Sequence, residues 1–204
     1  MSKVLTGGDP PEPATLQAAA DALRGGLVVG LPTDTVYGVA VAPGVAGATG
    51  ALFALKGRPR TAELPVLVAG EEQLAGLVAE WPAVARRLVE RHWPGPLTIV
   101  LRRRPELAWD LGGDGTTIGV RCPDHPVAMS LCRIAGPLAT TSANRHGQPP
   151  VTTAAGLLRA LPGIGLVIDG GPCEGAPSTV VDCTTKVPKV LRAGRLSPAE
   201  LAGP

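Results

Sequence analysis

The chain has 204 residues, and 19 basic against 17 acidic residues leave a formal net charge of +2. A chain of this length can bury one sizeable core, and we predict a single domain over residues 1–204. The hydrophobic fraction of 45% and the charged fraction of 18% exclude wholesale disorder. The near-neutral charge argues against a strong polyanion binder, which would show a clustered basic excess.

Neither a membrane span nor a secretory signal is visible in the sequence. No apolar run reaches the roughly 18 residues that a membrane-spanning helix needs. The N-terminus lacks a charged segment followed by an apolar one. We therefore expect no membrane contact and a cytoplasmic protein. The four cysteines form no C-x-x-C pair and the three histidines are dispersed, so we expect no metal held by protein side chains.

Short apolar runs alternate with Ala/Leu-rich helical patterns along the chain. The patterns predict helices over Ala14–Arg24, Ala46–Leu55, Glu71–Ala79, Pro82–His92, Pro126–Ile134 and Thr153–Leu161. They predict strands over Leu27–Leu31, Pro65–Val68, Leu97–Leu101, Thr117–Arg121, Leu138–Thr141, Leu166–Ile168, Thr179–Asp182 and Val190–Arg192. This order predicts an α/β fold with a twisted, mixed parallel and antiparallel sheet and flanking helices. The last three strands lack long helices between them, so we expect antiparallel hairpins there.

Polar clusters follow several of these strands, and strand ends are where α/β sheets bind ligands. The first cluster, residues 32–38, carries Thr33, Thr35 and Tyr37 directly after an apolar strand. It fits a turn and a binding site about equally. The second places Lys56 and Arg58 at the end of a predicted helix. Two cations there fit a phosphate clamp, or a favourable interaction with the helix dipole.

Four further clusters add to the polar inventory. Arg121 ends an apolar strand, where an arginine either binds the carboxylate of a ligand or forms a structural ion pair. The segment 140–144 offers Thr140, Ser142 and Asn144, which fit a cradle for phosphate oxygens or a simple turn. Ser178 and Arg192 each mark a strand boundary. Cations, hydroxyls and an amide without an obvious nucleophile suit a nucleotide and a small zwitterion, with catalysis by positioning and charge stabilisation.

Seven motifs occur together in one order. They are Pro-Thr-Asp-Thr-Val-Tyr-Gly (32–38), Leu-Lys-Gly-Arg-Pro (55–59), Trp-Pro-Gly-Pro-Leu-Thr (93–98), Gly-Val-Arg-Cys-Pro (119–123), Thr-Ser-Ala-Asn (141–144), Pro-Ser-Thr-Val-Val-Asp (177–182) and Leu-Arg-Ala-Gly (191–194). In this order they resemble the YrdC-like family of L-threonylcarbamoyladenylate synthases. The resemblance covers about Leu16 to Leu196 and looks like the short, single-domain form.

The resemblance implies a fold, a reaction and partners. The fold is a twisted sheet around a large, concave, positively charged cavity. The substrates are ATP, L-threonine and bicarbonate, magnesium assists, and the products are L-threonylcarbamoyladenylate and pyrophosphate. A downstream complex then transfers the threonylcarbamoyl group to an adenosine of tRNA, so a contact with tRNA is also implied.

The resemblance also implies roles for individual residues. Lys56 and Arg58 would be catalytic. The nucleotide would contact Lys56, Arg58, Thr117, Ser142, Asn144 and Arg192. Threonine would contact Thr33, Thr35, Tyr37, Arg121, Thr140 and Ser178. Many members carry a histidine where this chain has Leu67, which leaves open a related carbamoyl-adenylate enzyme that uses another amine. An RNA-binding module with a basic concave face is the second alternative.

Overall fold

One ten-stranded sheet organises the molecule. The structure is a computed structural model that describes residues 2–202, so the expected domain of residues 1–204 extends past both ends of this range. The strands are β1 (Lys3–Thr6), β2 (Val29–Leu31), β3 (Gly38–Val41), β4 (Val66–Leu67), β5 (Leu97–Arg102), β6 (Thr117–Arg121), β7 (Leu138–Ser142), β8 (Leu166–Asp169), β9 (Thr179–Asp182) and β10 (Lys189–Arg192). The helices are α1 (Pro13–Arg24), α2 (Ala48–Lys56), α3 (Ala83–His92), α4 (Pro126–Ala135), α5 (Ala154–Ala160) and α6 (Pro198–Ala202).

The strand order is β1-β8-β2-β3-β7-β4-β6-β5-β9-β10. Parallel pairs join β1 to β8, β8 to β2, β4 to β6 and β5 to β9, and the remaining neighbours are antiparallel. The sheet is therefore mixed, and helices flank it, as the sequence predicts. The loop after β2 and the ends of β6 and β7 lie close together, and this arrangement positions the site.

The two faces of the sheet bury different sets of apolar side chains. Along β3, Val39 and Val41 belong to one buried cluster and Ala40 to the other. Successive side chains of a strand point to opposite faces, so each face has its own core. Helix α1 covers the second face with Leu16 and Leu23, whose spacing places them on one side of the helix.

One helix expected from the sequence is wrong. The helix expected over Glu71–Ala79 is a single 3₁₀ turn, Glu71–Gln73. The chain leaves it because Val78 bridges to Arg103, and the Ala79 amide donates to the Arg102 carbonyl at 2.9 Å. Sheet pairing outweighs the helical pattern there.

The predicted run of hairpins at the end of the sheet is partly wrong as well. Strands β9 and β10 do pair antiparallel. Strand β8 instead lies parallel between β1 and β2, far from β9 in the sheet. The sequence reading missed β1 and β3, and β1 supplies the neighbour that β8 needs on its outer side.

Candidate active site

A cavity of about 150 Å³ opens where the loop after β2 meets the ends of β6, β7 and β9. Eight of the twelve predicted site residues line it: Thr33, Thr35, Arg58, Arg121, Thr140, Ser142, Ser178 and Arg192. Three of these side chains are guanidinium groups, and no carboxylate lines the cavity. The lining is therefore suited to anions. The predicted residues Tyr37, Lys56, Thr117 and Asn144 lie outside the lining.

The loop between β2 and β3 is held by its own threonine hydroxyls. Thr33 Oγ1 donates to the Val36 carbonyl at 2.7 Å and accepts from the Thr35 and Val36 amides at 3.2 Å. Its single proton is then used, so the Thr35 hydroxyl must donate in the 2.9 Å contact between the two hydroxyls. Both threonines are buried. The Thr35 oxygen keeps acceptor capacity and faces the cavity.

Arg121 ends strand β6 as a buried, multiply bonded cation. Its Nε donates to the Gly95 carbonyl at 3.0 Å, one terminal nitrogen to Thr35 Oγ1 at 2.9 Å, and the other to Asp34 Oδ1 at 2.6 Å. The Arg121 and Asp34 side chains are 8% and 10% exposed, so this is a buried ion pair. Burial lowers the pKa of Arg121, whereas Asp34 raises it. Three of five guanidinium N–H groups are engaged, which leaves two for a ligand.

Ser178 connects the third side of the cavity to strand β10. Its hydroxyl lies 2.9 Å from the Thr98 hydroxyl, and both residues are buried. Arg192 donates to the Ser178 carbonyl at 2.8 Å and to the Ser178 hydroxyl at 3.0 Å. Although β10 is exposed, partial burial of the guanidinium lowers the pKa of Arg192, and the Arg121 charge lowers it further.

Arg58 enters the cavity from the segment after α2. The αL conformation of Gly57, with φ 61°, ends that helix and turns the chain towards the sheet. The Arg58 guanidinium donates to the carbonyls of Ala62 at 3.0 Å and Glu63 at 2.9 Å. No carboxylate pairs with it in the described part of the chain. Burial and the nearby Arg192 lower its pKa, so this side of the cavity holds uncompensated positive charge.

Lys56 is buried beneath the segment that follows β7. Its ammonium donates to the carbonyls of Ser142 and Asn144, the latter at 2.5 Å. Burial and the Arg58 charge lower the pKa of Lys56 to about 8. The Asn144 amide nitrogen donates to the Arg145 and Gln148 carbonyls, and its Oδ1 is buried with no partner in residues 2–202. Lys56 therefore joins two predicted motifs that lie 86 residues or more apart.

Tyr37 and Thr117 bind protein groups rather than lining the cavity. The Tyr37 hydroxyl donates to the Gly171 carbonyl at 2.8 Å and accepts from the Gly170 amide at 3.2 Å. Burial raises its pKa, so it is a neutral group that ties the loop to the end of β8. Thr117 Oγ1 donates to Glu63 Oε2 at 3.2 Å.

Sequence reasoning gave no role to three groups at the site. Asp34 lies in the first motif, but its pairing with Arg121 joins positions 87 residues apart. Thr98 follows the Trp-Pro-Gly-Pro motif and lines the cavity. Glu63 has no motif around it, and only the fold brings it beside Thr117, 54 residues away. The sequence signals for Thr98 were its place at the end of the 93–98 motif and a hydroxyl on a predicted strand.

The described part of the chain has no group of three His, Cys, Asp or Glu side chains placed to hold a metal ion. In residues 2–202, no helix has the length and apolar character needed to cross a bilayer. The cavity supplies charged donors and hydroxyls but no nucleophile with a paired base. These features define an α/β protein with a cationic, hydroxyl-lined cavity that is suited to small anions.

Comparisons with known proteins give the family. The sequence model of the Sua5/YciO/YrdC family, described as "Telomere recombination", matches residues 21–194. The chain is 41% identical over 207 residues to a "Putative threonylcarbamoyl-AMP synthase" of Mycobacterium leprae, across 99% of this chain and 93% of that one. It is 38% identical to a "Threonylcarbamoyl-AMP synthase" of Bacillus subtilis, across 93% of this chain and 56% of that one. The chain belongs to the Sua5/YciO/YrdC family.

Solved structures confirm the predicted fold. A crystal structure of Sua5 from P. abyssi in complex with L-threonine matches with a TM-score of 0.91 and 34% identity. The match covers 100% of this chain and 61% of that one, so the chain spans about three fifths of the P. abyssi protein. Crystalline YciO from E. coli matches with a TM-score of 0.89 and 25% identity, over 98% and 100% of the two chains.

Proposed function

We propose that this chain is a threonylcarbamoyl-AMP synthase, a nucleotidyltransferase that makes L-threonylcarbamoyladenylate and pyrophosphate from ATP, L-threonine and bicarbonate. The observation that carries the proposal is the cavity lined by Arg58, Arg121 and Arg192 together with threonine and serine hydroxyls. The relatives named for this synthesis support it, because one of them aligns over nearly the whole of both chains. The P. abyssi structure with bound L-threonine supports the choice of amino acid.

The two sides of the cavity suit the two larger substrates. The two free N–H groups of Arg121 bind the threonine carboxylate, and the Thr35 oxygen accepts from the threonine ammonium or hydroxyl. The triphosphate lies against Arg58 and Arg192, whose charges no carboxylate of the cavity offsets. Lys56 spends two donors on backbone carbonyls and has a third for a phosphate oxygen.

The reaction needs little acid and base chemistry from the protein. The threonine amine and bicarbonate combine to an N-carboxylate with loss of water. A carboxylate oxygen then attacks the α-phosphorus of ATP, and the bond to pyrophosphate breaks. The protein holds the reactants in line and stabilises the charge that develops on the phosphate oxygens. Burial of Arg58 strengthens that effect, because a charge acts further in a poorly hydrated cleft.

Magnesium fits the chemistry as an ion bound mainly by the substrate. Magnesium usually keeps several waters and takes its remaining ligands from one or two carboxylates and substrate phosphates. The cavity lining has hydroxyls but no carboxylate, so the triphosphate itself would hold the ion. It would help to neutralise the leaving pyrophosphate.

The product defines what must follow. A mixed anhydride of a carbamate and AMP is an acyl donor, so a separate transferase complex consumes it and passes the threonylcarbamoyl group to an adenosine of tRNA. We place this work in the cytoplasm, where ATP and tRNA are available. A direct contact of this chain with tRNA is part of the same proposal.

The proposal is tested by pyrophosphate release. We expect release that requires threonine and bicarbonate together, with an AMP-linked product by mass spectrometry. Release that is indifferent to bicarbonate would contradict the N-carboxylate route.

Amino-acid choice sharpens the same assay. Serine lacks one methyl and should be a weaker substrate, since an apolar pocket distinguishes one methyl by roughly 1–3 kcal/mol. Valine replaces the hydroxyl by a methyl and would leave a pocket acceptor unpaired, so it should be rejected more strongly than serine. Equal use of valine and threonine would show that Leu67 and Val36 dominate the pocket and that the amine substrate is another one.

A further inference from the structure

A second cavity, of about 280 Å³, adjoins the first on the β5, β6 and β9 side. The two cavities share Arg58, Pro65, Thr98, Ser178 and Arg192 in their walls. A ligand whose phosphates lie on Arg58 and Arg192 can therefore extend into the second cavity. Nothing in the roles argued so far uses this space.

The floor of the second cavity is apolar, and a glycine leaves a depression in it. Val100 on β5 pairs with Gly119 on β6, and both line the cavity with Val180 of β9. Paired residues on neighbouring strands share one face of a sheet. Since Gly119 carries no side chain, the floor dips between its valine neighbours. A flat aromatic ring suits such a surface.

One carboxylate lies beside this apolar floor, and only one of its two oxygens makes a hydrogen bond. Glu63 Oε2 accepts from Thr117 Oγ1 at 3.2 Å. Glu63 Oε1 is buried and has no partner within residues 2–202. Burial raises the pKa of Glu63 to about 7, although the Thr117 hydrogen bond and the Arg103 charge oppose this rise. A buried acceptor without a partner is costly, so this oxygen calls for a hydrogen-bond donor that the described residues do not supply.

The position of Glu63 relative to Arg58 is fixed by the backbone. The Arg58 guanidinium donates to the Glu63 carbonyl at 2.9 Å, and Glu63 is one of the residues that line the second cavity. A cation for phosphate and an acceptor for a donor group thus sit on one short segment. The nucleoside of ATP is joined to its phosphates, and its donors are two ribose hydroxyls and one exocyclic amino group.

We propose that Glu63 is a further nucleotide-binding residue whose Oε1 accepts a hydrogen bond from a donor on the nucleoside half of ATP, while the floor of Val100, Gly119 and Val180 receives the base. Thr117 is a positioning residue in this arrangement, since it orients the carboxylate through Oε2. The inference rests on the proposed function for the presence of ATP.

The test is direct binding, measured by isothermal titration calorimetry at pH 8, where Glu63 is mostly ionised. ATP is compared with 2′-deoxy-ATP, 3′-deoxy-ATP and purine riboside triphosphate, each of which lacks one donor. Wild-type protein should lose about 10- to 100-fold in affinity for the analogue that lacks the contacted donor. Glu63→Ala should lose a similar factor for ATP and no longer distinguish that analogue from ATP.

Two further variants serve as controls for Glu63→Ala. Glu63→Gln keeps the size and an acceptor oxygen, so it should weaken ATP binding less than alanine and keep part of the discrimination. It also replaces the alanine variant if that one does not fold. Asp114→Asn removes a nearby carboxylate that is exposed and outside the second cavity, and it should bind all four nucleotides as wild type does.

Failure of this inference is distinguishable from failure of the proposed function. Normal ATP binding that discriminates the analogues equally with and without the Glu63 carboxylate overturns the Glu63 assignment alone. Equal wild-type affinity for all four nucleotides does the same. Absence of any ATP binding overturns the proposed function and this inference with it.

Discussion

The two walls of the first cavity are built in opposite ways. The paired wall, formed by Thr33, Thr35 and Arg121, is a closed hydrogen-bonded network around the buried ion pair of Arg121 with Asp34, which itself does not line the cavity. The open wall, formed by Arg58 and Arg192, holds two cations whose partners are carbonyl and hydroxyl oxygens. Burial lowers the pKa of both cations, and they face each other without a carboxylate. The paired wall is held in place by its own hydrogen bonds and ion pair. The open wall keeps positive charge that no carboxylate offsets, which suits a polyanion.

The largest effect is expected from breaking the paired wall. Arg121→Ala leaves the Asp34 carboxylate buried without its cation, and removal of one partner from a buried pair destabilises by about 3–5 kcal/mol. We expect a clear fall in melting temperature together with loss of threonine-dependent turnover. The measurements are thermal unfolding and pyrophosphate release.

Arg121→Lys is the matched variant for that experiment. It keeps a charge beside Asp34 but loses the planar fork that also binds Thr35 and Gly95. Its stability should recover more than its threonine affinity does. Full activity in the lysine variant would place the substrate carboxylate elsewhere.

Breaking the open wall should separate activity from stability. Arg58→Ala removes a cation whose charged form is disfavoured by burial and by the nearby Arg192, so the folded state should lose little. Turnover should fall by about 10- to 100-fold, which corresponds to roughly 1.5–3 kcal/mol for hydrogen bonds to a charged group.

Arg60→Ala serves as the control for Arg58. It removes an equal charge two residues away, from an exposed side chain paired with Asp110. That variant should keep its turnover. A drop in melting temperature for Arg58→Ala that matches its loss of turnover would mean that Arg58 supports the fold and not the reaction.

The smallest effect concerns Lys56 and pH. Its pKa is lowered from 10.5 to about 8, so the free protein loses this positive charge as the pH rises through 8. Affinity for ATP should then fall above pH 8, by at most about tenfold per pH unit. Calorimetric titrations between pH 7 and 9.5 measure it. Lys56→Met should bind ATP weakly at all of these values, without the pH dependence.

Unfolding does not account for that fall. A lysine whose pKa is depressed on folding binds fewer protons in the folded than in the unfolded state between pH 8 and 10.5. Its contribution to stability therefore rises with pH in this window, while the predicted ATP affinity falls. A flat affinity across the range would remove Lys56 from the phosphate site.

The sequence predicts the secondary-structure elements better than the long-range contacts between their residues. Strand β6 was predicted with the observed bounds, Thr117–Arg121, because a buried strand with Arg121 at its end leaves a local signature. The pairing of Arg121 with Asp34 leaves none, because it depends on a fold that joins distant positions. The sequence left two interpretations of Arg121, a structural ion pair and a binding group for a ligand carboxylate. Both are compatible with the structure, because the guanidinium pairs with Asp34 and still has N–H donors that are not used.

Glu63 and β3 illustrate the remaining gap. Gly38–Val41 follows directly on a polar loop, and its pattern did not stand out from that loop until the sheet placed it between β2 and β7. Glu63 reads as an ordinary charged residue in a segment between elements. Its burial depends on Arg58, Thr117 and the strands beneath, which local pattern does not encode.

The strand order also fixes when the molecule can be completed during synthesis. Strand β1 pairs only with β8, so Lys3 cannot pair with Leu166 until most of the chain has been synthesised. The first cavity likewise draws on residues from Thr33 to Arg192. The segment Lys3–Thr6 therefore lacks its sheet partner for most of the time that the chain is being synthesised, and unpaired segments of this kind can pair with other chains. The strand that is made first is among the last to be protected.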